Sequence, residues 1–176
     1  MDLKETNNAL NKFAKYVIQQ SRSNLTRGNK NYKKSLYDSL KSDINVSANS
    51  FSLSFIMNEY GVYQDKGVSG TERKYNTKFS YKPSSNLRGL EYHKNIFSEW
   101  AKFRNIRLRN AKGQFAKGNY KTIGYILADS IKKKGIKPSL FFTKPFEKAF
   151  NNLPDELVKA YALDLDEFID YTIKTI

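Results

Sequence analysis

No cysteine occurs anywhere in the 176 residues, which excludes disulfides, thiolate metal sites and cysteine nucleophiles and leaves the redox compartment unmarked. A single histidine, His93, rules out a His-His metal pair. A Ser-His-Asp triad would have to use it, yet no G-x-S-x-G motif accompanies it, and it reads as a surface residue. No stretch approaches the roughly 20 apolar residues that cross a bilayer. The start, MDLKETNNAL, is not a basic segment leading into an apolar one, so the expectation is a soluble, unexported protein with no membrane partner. Negative charge is also scarce. Seventeen Asp and Glu face thirty-one Lys and Arg, and a net +14 favours polyanions or acidic protein partners.

What is abundant is aromatic. Twelve Tyr and twelve Phe, in a chain 39% hydrophobic, predict one domain with a ring-rich core and many tyrosine hydroxyls at its surface. The charge is unevenly spread. Residues 71–121 carry thirteen basic and three acidic residues, an excess of ten, whereas 151–176 hold six acids and two lysines. The acidic end, with Asp164, Asp166, Glu167 and Asp170, offers a counter-surface to the basic middle of a neighbouring copy.

Leu10, Phe13, Ala14, Val17 and Ile18 recur at three- and four-residue steps, predicting an amphipathic helix from Thr6 to Leu25 that ends with Gly28 in the left-handed conformation. Leu36, Tyr37 and Leu40 form a helical turn. Ile44 and Val46, then Phe51, Leu53, Phe55 and Met57, alternate as two strands joined by a turn at SANS. KYNTKFSYKP reads as an edge strand or extended arm ended by Pro83. Tyr92, Ile96, Trp100 and Phe103 mark a helix over 90–103, and the basic RLRNAKGQFAKGN a mobile loop. A further helix runs from Tyr120 to Lys134, closed by Gly135. The last begins at Pro154, with Leu157, Val158, Tyr161, Leu165, Phe168 and Ile169 as its apolar face.

Two chemistries have candidate residues. Asp65, Glu72 and Lys74 stand in the acid, spacer, acid-x-lysine order of a Mg²⁺-dependent nuclease, where two carboxylates hold the metal. Gly67 and Gly70 would put that set on a flexible turn, and a turn with solvated charges is the simpler reading. GVSG lacks the Lys-Ser/Thr of a phosphate loop, so nucleotide binding has no support. KFRNIRLRNAKGQFAKGNYK, 102–121, interleaves Phe103, Phe115 and Tyr120 with cations, the composition of a sequence-independent DNA-binding strip and equally of a solvated loop.

Four stretches in this order resemble the phage head-tail joining family, the tail-completion or neck proteins. They are LNKFAKYVIQQSRSNL as a long first helix, Leu36, Ser39 and Leu40 as the step into a hairpin, and Tyr60, Tyr63, Asp65 and Gly67 leaving it. The fourth comprises Pro138, Phe141, Phe142, Pro145, Phe146 and Ala149 before the closing helix. The Asn-, Lys- and Tyr-heavy composition is similar to that of AT-rich phages, including crAss-like phages. The resemblance implies an α+β fold with an antiparallel β-sheet and a long N-terminal helix packed across it. Further helices complete a single domain over 1–176, in which 71–121 looks like an extended basic insertion or arm that the shorter family members lack. It implies a virion protein made in the host cytoplasm, a homo-oligomeric ring joining portal and head to tail, with neck and tail proteins as partners and DNA as a contact. No catalysis, cofactor or metal is implied. Partner-contact candidates are Tyr92, Trp100, Phe103, Arg104, Arg107, Arg109, Phe141 and Phe142. Gly67 and Gly70 are the hinge that turns the chain into the insertion.

Overall fold

The apolar steps through the first 25 residues form one helix, α1 (Lys4–Arg27). The structure is a computed structural model that describes residues 3–47, 50–82 and 87–175, with side chains for all of these but 87–94 and 174–175. Gly28 does not take the left-handed conformation expected of it. Its φ is −77°, and Asn29 supplies the positive φ, 54°, that turns the chain. Asparagine tolerates that region because its short amide can bond locally.

A one-turn helix α2 (Ser35–Ser39) leads into β1 (Lys41–Ser47) and β2 (Ser50–Ile56), paired antiparallel with Ile44 opposite Leu53 and Val46 opposite Phe51. Ala48 and Asn49, the centre of the expected turn, lie outside the described residues. With α6 (Thr143–Phe150) and α7 (Leu153–Thr175) these elements make one compact unit, residues 1–61 and 140–176. Its core is built from rings. Phe13 of α1 meets Phe55 of the hairpin and Phe146 of α6 edge-on at 6.1 and 5.7 Å, and Phe142 meets Phe55 at 5.3 Å. Such pairs add about 0.5 to 1.5 kcal/mol each beyond the area they bury. This is how the long helix lies across the hairpin. Phe141, 1% exposed, fills a second cluster with Leu25, Leu36 and Leu40.

Helix α3 (Tyr60–Lys66) carries the chain into a second unit, 62–139. There β3 (Val68–Ser69) pairs antiparallel with β4 (Gly135–Ile136), and α4 (Leu87–Phe103) packs on α5 (Tyr120–Lys134). Ala101, Gly124 and Ala128 are buried, small residues that let helices approach closely. The expected arm, 71–121, falls within this second compact unit. The second unit is wider than that arm because Val68 pairs with Ile136, far along the chain. KYNTKFSYKP is not a strand. It meets β3 at Ser69, through a parallel bridge with Ser80 and through the Ser69 hydroxyl, which donates to the Tyr75 carbonyl and accepts from Tyr75 N–H. Pro83 lies outside the described residues. Seven helices and two small antiparallel sheets, among the described residues, make the α+β architecture.

Candidate assembly surface

The N-terminus of α1 needs a partner for its free N–H groups, and Leu3, the preceding residue, has no side chain to offer. Asp164 of α7 fills the gap from 158 residues away. Glu5 N–H and Thr6 N–H donate to its carboxylate at 2.8 and 2.9 Å, and the Thr6 hydroxyl at 2.7 Å. The side chain is 1% exposed. Burial pushes its carboxyl up, but the three hydrogen bonds outweigh that and hold it below the ordinary carboxylate range. Asp164 is therefore a structural cap and not part of an acidic counter-surface. The signal in sequence is an acid in step with Leu153, Leu157 and Ala160, the face α7 turns inward.

The apolar face expected on α7 is a different one. Of Leu157, Val158, Tyr161, Leu165, Phe168 and Ile169, only Leu157 packs against the core; the other five are 39% to 70% exposed. Every residue from Leu165 to Ile173 is exposed. Val158 and Tyr161 also border an apolar groove of about 550 Å³ with Leu3 and Phe51 of the hairpin. A second groove, about 740 Å³, runs along the outer face of α1 between Lys15 and Arg27, floored by Ile18 and Tyr37. Arg22 in that groove is fixed. Its guanidinium lies 5.0 Å from the Tyr37 ring centroid and donates to the carbonyls of Tyr37 and Leu40 at 3.1 and 3.0 Å.

In the second unit the basic loop after α4 holds a tight turn over 109–115. Arg109 pairs with Phe115, and the Asn110 carboxamide oxygen accepts from Lys112 N–H and Gln114 N–H, each at 3.0 Å. Arg107 and Arg109 both sit on the exposed Phe115 ring, 5.7 and 4.6 Å from its centroid. Of the contact candidates, Phe103, Arg104, Arg107 and Arg109 are exposed and Trp100 is half-buried. The side chains of Tyr92 and His93 lie outside the described ones. Of the other two candidates, Phe141 is buried in the core with Leu25, Leu36 and Leu40, and Phe142 is half-buried against Phe55 and Phe146.

GVSG is pinned. Gly67 has φ +76°, and a Cβ there would lie 2.6 Å from the Ile136 carbonyl; one on Gly70 would overlap the carbonyl of Lys133. Residues 67 to 70 are buried, and Gly67 and Gly70 stand where the chain of β3 and that of β4 approach too closely for a Cβ. Asp65 is buried with its carboxylate 3.9 Å from Lys66 Nζ, Glu72 is exposed, and Lys74 Nζ donates to the Gly70 carbonyl at 2.9 Å. Among the described residues no three acidic or histidine side chains gather as a metal cluster, and no helix is long and apolar enough to cross a membrane. Comparison with family models, curated proteins and solved structures found no match for this chain.

Proposed function

We propose that this chain is a non-enzymatic structural protein of a phage virion, one copy of an oligomeric ring in the neck that joins portal and head to tail. The observation that carries the reading is the exposed apolar surface of α7. Val158, Tyr161, Leu165, Phe168 and Ile169 together form a patch that a monomer in water has no use for, and patches of this kind mark protein contacts. The order of the four family-like stretches supports it: they stand in the fold as α1, α2 before the hairpin, α3 leaving it, and the segment that starts α6. A portal or another neck or tail protein is the axial neighbour this role requires.

A second reading, sequence-independent DNA binding, is favoured by Arg107 and Arg109 on the exposed Phe115 ring, where cations and a stacking face sit together. Measuring mass by sedimentation across a concentration series, alone and with a portal protein, separates the two. The structural reading expects a closed complex of many chains. A monomer or dimer that binds DNA with steep salt dependence and never enlarges overturns it in favour of the second. Incubation with Mg²⁺ or Mn²⁺ is expected to leave plasmid DNA intact, and cleavage abolished by Glu72→Ala would replace both readings.

A further inference from the structure

We infer that the ring contact is heterologous: the distal part of α7, from Leu165 to Ile173, seats in the basic groove along α1 of the next copy. This rests on the ring reading and names its interface. Two features meet. The first is the projecting end of α7, which continues past the point where Asp164 closes the N-terminus of α1, with every side chain exposed over about 13 Å of helix. Val158, Tyr161, Leu165 and Phe168 follow at steps of three, four and three, the spacing with which one helix meets another. Its charge is of one sign. Asp166, Glu167 and Asp170 lie within residues 165–173, which contain no lysine or arginine.

The second is the groove on α1. Lys15, Arg22 and Arg27 line it with no acid among them, Ile18 and Tyr37 provide an apolar floor, and Arg22 is already held by two carbonyls, so little order is lost on binding. Lys15 to Arg27 spans about 18 Å of helix, enough for the projecting end. Two α7 ends facing each other would instead bring six acids together, a like-charge arrangement that disfavours a symmetric pair. An acidic apolar helix on one side of the molecule and a basic groove elsewhere on it make a head-to-tail contact, and such contacts close into rings or run on as filaments.

The test uses two full-length variants at exposed or rim positions. Lys15→Glu with Arg27→Glu spoils the groove and leaves α7 intact; Leu165→Asp with Phe168→Asp spoils α7 and leaves the groove intact. Each alone is expected to sediment as a monomer, with wild-type thermal unfolding. Mixed in equal amounts they retain one good contact between them and should form a 1:1 heterodimer and nothing larger. Because the chain has no cysteine, a Gln19→Cys, Ile169→Cys double variant gives a second readout: a ladder of disulfide-linked oligomers, with neither single variant cross-linking. Covalent dimers from Ile169→Cys alone would show a symmetric α7 contact and overturn the inference, as would a mixture that stays monomeric. If the wild type forms a ring that both variants still form, the ring reading stands and this contact falls. If the wild type never exceeds a monomer, both fall.

Discussion

The two halves of α7 have similar apolar content but pack differently. Between Leu153 and Asp164 the helix buries Leu153, Ala160 and Asp164 on one face while Val158 and Tyr161 stay exposed on another; from Leu165 to Ile173 every residue is exposed. The difference teaches that amphipathic spacing tells where a helix wants a partner but not whether that partner belongs to the same chain. The proximal half is spaced for α1, with a carboxylate placed where α1 needs a cap. The distal half is spaced for a helix that the unit does not contain.

The largest expected effect lies in the proximal half. Leu153→Ala removes a buried side chain from the Phe13 and Val17 cluster and should cost about 2 to 4 kcal/mol in denaturant unfolding. A cost under about 0.5 kcal/mol would mean that this half is no better packed than the other.

Asp164→Asn is next, at about 2 kcal/mol, because charge-assisted bonds to Glu5 N–H, Thr6 N–H and the Thr6 hydroxyl are weakened together at a helix N-terminus. Its pH dependence sharpens the comparison. The folded carboxyl lies below its ordinary value, so its contribution is present above that value and fades as pH falls through the depressed folded one. The gap in unfolding free energy between wild type and Asp164→Asn should therefore hold near neutral pH and shrink on strong acidification. A gap that widens as acid is added would reverse the assignment.

Phe168→Ala, in the distal half, should change monomer stability by no more than about 0.5 kcal/mol while weakening self-association at least tenfold. A loss of several kcal/mol in the dilute monomer would show that Phe168 is core after all.

Much of the fold was legible because its signals are local. The steps of Leu10, Phe13, Ala14 and Val17, the alternation of Ile44, Val46, Leu53 and Phe55, and the Lys-Lys-Lys-Gly end of α5 each report the conformation of their own neighbourhood. The pairing of Val68 with Ile136 was not legible, since two residues carry no periodicity and the partners are far apart in sequence. Nor was the capping role of Asp164, for an acid on a helix face looks solvated until the helix end it serves is known. Phe141 and Phe142 read as contact residues because composition cannot tell a ring needed to close a core from one offered to a partner. At the candidate site the exposed arginines were legible, while the α1 groove was not: its Lys15, Arg22 and Arg27 look like the ordinary outer face of an amphipathic helix until Tyr37 is seen to form its floor.

Hydrogen exchange on the full-length chain, followed from dilute solution to assembly concentration, addresses the division of α7 most directly. Amides from Leu157 to Asp164 should be protected at both concentrations, while those from Leu165 to Ile173 should exchange quickly in the dilute chain and slow at least tenfold on assembly, together with the exposed side of α1 around Gln19. Equal protection of both halves in the dilute monomer, or a distal half that stays fast in the assembled state, would contradict the account.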